Sequence, residues 1–189
     1  MSDPVFGLAD GVKTYAINAR ETSGKVTDCD AQIMEALSDC ALEGGVPIIH
    51  SVFGSKTGIC HEYQHEYEDQ VRKLNGLFVV DACQGRFEKE MLHELMDKEA
   101  IVLITGSKFF RGPPFSGGVF VPKTIMDKLR SLKDNNQVPY GLNTFIGKNE
   151  IPRDLPLWRN DLADNQNPGL ALRWVAALAE MEETLKFSS

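Results

Sequence analysis

The sequence predicts an α/β fold: a mostly parallel sheet covered by helices in three layers, α-β-α. Three observations carry this. Leu77–Val80 and Ile101–Ile104 are short, unbroken apolar runs of strand length, each ending abruptly in polar residues. Between them, Phe87, Met91 and Leu95 recur at i, i+4 and i+8, the period of a helix, so that strand, helix and strand alternate. The chain has 189 residues, 42% hydrophobic and 25% charged, enough for one good-sized domain with its own core.

The elements follow in order. Residues 1–26 are weakly patterned. Thr27 or Asp28 can cap a helix over residues 29–42, with Ile33, Leu37, Cys40 and Ala41 on one face and Gly44-Gly45 ending it. Val46 to His50 reads as a strand that breaks at Gly54-Ser55-Lys56-Thr57-Gly58. Tyr63 to Leu74 reads as a charged helix, Leu77–Val80 as a buried strand, Phe87 to Met96 as a helix and Ile101–Ile104 as a second buried strand. Gly117–Val121 is a further strand. It follows the preceding one too closely for a helical crossover, which argues for an antiparallel run. Lys123 to Leu132 is helical. Residues 134–167 are rich in Asn, Pro and Asp and read as one long irregular segment. A closing helix over residues 168–187 has Asn167 as N-cap, Pro168 at its first position, and Leu170, Trp174, Leu178, Met181 and Leu185 along one apolar stripe. The whole reads as a single domain.

Composition excludes several classes. The net charge is −7 and no Lys/Arg cluster stands out, which argues against nucleic acid as a partner. No apolar run approaches a membrane span, and the start lacks a signal-peptide pattern. The four cysteines, Cys29, Cys40, Cys60 and Cys83, form no CxxC pair. They read as reduced thiols, and the expected location is the cytoplasm.

The chemistry concentrates where the two apolar runs end. Asp81 ends the first, and Thr105-Gly106-Ser107-Lys108 ends the second. An acid and a lysine at the carboxyl ends of parallel strands project into the crevice where open α/β sheets bind ligands. The pair suits pyridoxal phosphate: the lysine forms a Schiff base, and the acid pairs with the pyridinium nitrogen and keeps it protonated. Thr105 and Ser107 offer hydroxyl donors for a phosphate. Gln84, three positions after Asp81, can hydrogen-bond the ring's phenolic oxygen. Taken singly, an Asp after a strand is more often a helix cap, and a Lys before aromatics is more often a snorkelling surface residue. The combination is far more specific.

Asp81-Ala82-Cys83-Gln84 and Thr105-Gly106-Ser107-Lys108 resemble the two signature segments of fold type I pyridoxal-phosphate-dependent transferases, in particular the class V aminotransferase and cysteine desulfurase group. The resemblance covers residues 46–122 closely and the closing helix more loosely. It implies Lys108 as catalytic Schiff-base residue, and Asp81, Gln84, Thr105 and Ser107 as cofactor ligands. It also implies Ser55 as a further cofactor contact, in Ser55-Lys56-Thr57-Gly58 where the group has Asn-x-x-Gly. It further implies an amino-acid or amine substrate, a homodimer, and a chain that corresponds to the large-domain portion, with the phosphate loop and small domain of such enzymes lying beyond its two ends.

One motif competes. His61-Glu62-Tyr63-Gln64-His65 matches the H-E-x-x-H of zinc hydrolases, which puts two His one turn apart on a helix with a Glu as base. The acidic run Glu66-Tyr67-Glu68-Asp69 that follows, and the want of a clear third ligand, argue for a chance match on a solvated helix. A non-catalytic remnant of the transferase fold, acting as a binding or dimer partner, is the other alternative. The prediction is that protein purified without a His-tag carries no stoichiometric zinc; one zinc per chain, lost in His61→Ala, would establish the hydrolase motif instead.

Overall fold

The computed structural model describes residues 12–56, 67–131 and 141–186. Among these, 14–104 with 118–120 form one compact unit, and 12–13, 105–117, 121–131 and 141–186 belong to a second. The fold is α/β, with an open four-stranded sheet in the order β1 (Ile48–Val52), β2 (Leu77–Asp81), β3 (Ala100–Thr105) and β4 (Gly117–Phe120). β1 pairs with β2 and β2 with β3, both parallel.

The first unit is built by the two apolar strands. Alternation along β2 and β3 sends Phe78, Val80, Ala100 and Val102 to one face. The register sets Phe78 level with Ala100 and Val80 level with Val102, so the four make one continuous patch. Ile33 and Leu37 from α1 (Cys29–Leu42), Val71 from α2 (Glu68–Lys73) and Leu95 from α3 (Lys89–Asp97) close over it. Strand order follows chain order, so crossovers of one hand carry α2 and α3 to the same face. Full burial of each such side chain contributes about 1.5–3 kcal/mol.

The local causes are legible. Asp28 caps α1 by accepting from the N–H groups of Asp30 and Ala31, at 3.0 and 3.2 Å. The helix stops at Gly44, whose φ of +67° only glycine adopts without strain, and Gly45 N–H returns to the Cys40 carbonyl. Ile33 and Leu37 are buried, as the pattern expects, but Ala41 is exposed. β1 starts and ends two residues later than the sequence suggests. Pro47 has no N–H to give the ladder, but its carbonyl accepts from Leu77 N–H just ahead of the paired residues. As an edge strand, β1 keeps Ile48 and Val52 exposed.

α2 is described from Glu68; residues 57–66, with the start expected at Tyr63, the H-E-x-x-H motif and Cys60, lie outside the described residues. Glu68 and Asp69 sit in its first turn and Arg72 and Lys73 in its last, matching the helix dipole. Tyr67, at its N-cap, is buried with its ring 6.4 Å from Phe78. Burial pushes its phenol well above the usual tyrosine range, and Asp30, Glu68 and Cys29 push in the same direction. α3 starts two residues after Phe87, which packs on the core from the preceding loop; Leu95 is buried and Met91 half-buried.

In the second unit, α4 (Lys123–Ser131) buries Ile125. Arg130 reaches both Asp127 and Asp154, tying α4 to the segment before α5 (Pro156–Asn160). Its hydrogen bond to Arg130 holds the Asp154 carboxyl below the usual range, but both side chains are exposed, so solvent screens the pair. The Asn/Pro/Asp-rich stretch is less irregular than its composition suggests. It holds short 3-10 turns at Leu142–Thr144 and Lys148–Glu150, and its polar side chains lock the chain on itself. Glu150 accepts from Gly147 N–H (2.7 Å) and from the Asn167 amide (3.2 Å), and Arg159 donates to the Ile151 carbonyl. α6 (Pro168–Lys186) starts where expected: Asn167 Oδ1 accepts from Leu170 N–H at 3.0 Å.

The apolar stripe of α6 needs correction. Ala177 is fully buried and Leu170, Trp174 and Met181 are half-buried, whereas Leu178 and Leu185 are 56% and 60% exposed. The inward face turns toward the smallest residue because main chain, not side chains, packs against it. Among the described residues, no helix is long and apolar enough to cross a membrane.

The cap on α1 gives a direct test. Asp28→Ala is predicted to destabilise the protein by about 1 kcal/mol, read as a shift of the urea midpoint with unchanged slope; an unchanged midpoint would show that the cap contributes nothing.

Candidate active site

The sequence-predicted residues fall in two groups, one in each unit. In the first, Asp81 is the last residue of β2, level with Val52 on one side and Leu103 on the other. Alternation with the buried Phe78 and Val80 points it away from the core. Its Oδ1 accepts from Cys83 N–H at 2.9 Å, and Ala82 N–H donates to the Leu103 carbonyl at 2.9 Å. Gly85 N–H then closes on the Ala82 carbonyl. The carboxylate thus stands on a tight turn pinned to the neighbouring strand, and half-buried Gln84 lies within that turn. Ser55, also half-buried, comes three residues after Val52.

In the second group, Thr105 is the last residue of β3, the strand beside β2. The Thr105 and Ser107 hydroxyls are 2.8 Å apart, and Ser107 N–H donates to Thr105 Oγ1 at 3.2 Å. A local turn of this kind gathers two hydroxyls at one point. Lys108 follows, exposed, at the head of a turn closed by Arg111 N–H on its carbonyl.

The loop beyond Lys108 is tightly held. Gly112 N–H donates to the Gly106 carbonyl at 2.8 Å, and Gly106 N–H to the Ser116 carbonyl at 3.1 Å. Ser116 is fully buried, and its hydroxyl donates to the Pro113 carbonyl. Pro113-Pro114 therefore shape a turn. A methyl group on Gly106 would lie 2.5 Å from Ala177 Cβ. On Gly112 it would lie 2.7 Å from the Gly106 carbonyl oxygen and 2.8 Å from Ala177 Cα. Only glycine fits either position. Arg111 and Phe115 hold φ of +60° and +64°, a strained backbone for side chains of this size. Phe115 lies 6.0 Å from the Arg173 guanidinium, ring centre to Cζ.

These supports were missed from the sequence. Gly112 and the Pro pair signal a turn after Lys108, but nothing local reveals Ala177, 69 positions beyond Lys108 in the chain, as the surface it packs on. Among the described residues, no group of three His, Cys, Asp or Glu side chains could hold a metal; His61, Glu62 and His65 lie outside them. No protein-family model, curated protein or solved structure matches the chain.

The glycine contacts are testable. Gly112→Ala forces main chain apart rather than a pliable side chain, and is predicted to cost about 1–3 kcal/mol. Chemical denaturation would measure it; a change below a few tenths would mean that the loop yields freely.

Proposed function

We propose that this chain is a pyridoxal-phosphate-dependent transferase-like protein of the fold type I kind. Its sheet would form the centre of a three-layer α-β-α large domain, and its substrate would be an amino acid or amine. The observation that carries the reading is the placement of Asp81-x-x-Gln84 and Thr105-x-Ser107-Lys108 at the carboxyl ends of two neighbouring parallel strands.

The donor set fits the cofactor on chemical grounds. Lys108 offers a primary amine, Thr105 and Ser107 two clustered hydroxyls, Asp81 a carboxylate and Gln84 an amide. Bound there, pyridoxal phosphate supplies an electron sink for negative charge at the substrate's Cα. Lys108 would hold the cofactor's aldehyde carbon, and its Nζ, when free, would serve as the base for the Cα proton. The Asp81 carboxylate would favour a protonated pyridine nitrogen by charge pairing. Gln84 would donate to the phenolic oxygen. Thr105 and Ser107 would donate to the phosphate, with Ser55 as a further contact. A homodimer in the cytoplasm is part of the same reading.

The test is chemical. Incubation with pyridoxal phosphate, borohydride reduction and peptide mass mapping should place the adduct on Lys108. An adduct on another lysine, or none at saturating cofactor, sinks the proposal. Asp81→Asn should keep the adduct yet slow exchange of the substrate's Cα hydrogen by about a hundredfold or more; an unchanged exchange rate would remove Asp81 from its role.

A further inference from the structure

Lys108 rides on a strained loop whose internal hydrogen bonds are backed by a neighbouring helix. Arg111 and Phe115 both sit in the left-handed region, and such conformations persist only where the surroundings impose them. The surroundings in question are one face of α6, where Trp174, Ala177 and Met181 recur at i, i+3 and i+7.

Each of these residues meets the loop at a definite point. The Trp174 Nε1–H donates to the Gly117 carbonyl at 3.1 Å, bridging 57 residues of chain. Gly117 follows Ser116, whose carbonyl accepts from Gly106 N–H, so the indole pin lies one residue from the anchor of Gly106. Ala177 sets the depth. The space beside Gly106 and Gly112 is filled to the point where one methyl has no room, and Met181 Cε bounds it on the Gly106 side. Gly106 stands two residues before Lys108. It is held from Ser116, from Gly112 and from Ala177 at once.

We propose that Trp174 and Ala177 are positioning residues for Lys108: α6 sets where the lysine loop stands and keeps it from relaxing. The inference rests on the cofactor reading above and adds to it a support outside both signature segments. Its consequence is kinetic. A reacting group displaced by about 1 Å can lose about a hundredfold in rate while the fold survives. A loosened loop should therefore slow the chemistry of Lys108 before it unfolds the protein.

The experiment uses the full chain in four forms: unaltered, Trp174→Phe, which keeps an aromatic ring and deletes the N–H, Ala177→Gly, which removes the methyl under the loop, and Leu178→Ala, an exposed neighbour on the same helix. Hydrogen exchange is followed at the Gly106 and Gly112 amides. The rate of adduct formation at Lys108 with pyridoxal phosphate, and the pH midpoint of the bound cofactor's absorbance, are measured alongside. Trp174→Phe should speed exchange at those two amides about tenfold, slow adduct formation about fivefold as expected for one lost hydrogen bond, and move the pH midpoint. Amides of β2 should exchange as before, and Leu178→Ala should match the unaltered protein. Should Trp174→Phe fail to fold, Ala177→Gly is read by the same criteria. Unchanged exchange at Gly106 and Gly112, or faster exchange with an unchanged adduct rate and midpoint, overturns the inference alone. Absence of a Lys108 adduct in the unaltered protein overturns the cofactor reading and this inference with it.

Discussion

The parallel pairing of β2 with β3 is the constraint on which the rest depends. It sets Phe78 and Val80 level with Ala100 and Val102, and that patch is what α1, α2 and α3 cover. A slip of one residue would turn the side chains of the slipped strand to the opposite face and break the patch on which the helices pack. The same register brings Asp81 level with Leu103, two residues before Thr105 ends its strand. The core and Asp81 are thus two ends of one arrangement. The apolar alternation stabilises the pairing, and the polar residues begin where the alternation stops.

The second unit solves a different problem with different means. Its chain is poor in long apolar runs, and short-range polar contacts take over. Glu150 gathers Gly147 and Asn167, Arg130 gathers Asp127 and Asp154, and Asn167 starts α6. Most of these groups are exposed, so each bond contributes modestly. The tight packing occurs where α6 meets the lysine loop. There main chain approaches main chain, and the residues that allow it are the smallest available: Gly106, Gly112 and Ala177. Close approach of this kind leaves little room for the loop to move.

Much of this was legible in the residues. The helix over 29–42 with its Asp28 cap and Gly44 stop, the strands at Leu77 and Ile101, and the start of α6 at Asn167-Pro168 follow from short-range rules, because a cap or a stop is decided within one turn of chain. The candidate residues were legible for the same reason: Asp81 and Lys108 stand where apolar runs break. Tertiary structure decided what periodicity could not. A helical stripe read from hydrophobicity alone took Leu178 and Leu185 inward, but α6 turns Ala177 to the loop instead, because a close backbone contact rewards a small side chain over a large one. The left-handed Arg111 and Phe115 likewise carry no signal of their own, since neither residue type favours that conformation; it occurs in a loop held by the hydrogen bonds of Lys108, Gly106, Gly112 and Ser116 and backed by α6. The sequence by itself determined which segments form strands and helices and where polar chemistry interrupts them. Only the tertiary structure decided how closely the backbone packs around Lys108, because that distance depends on residues nearly seventy positions apart.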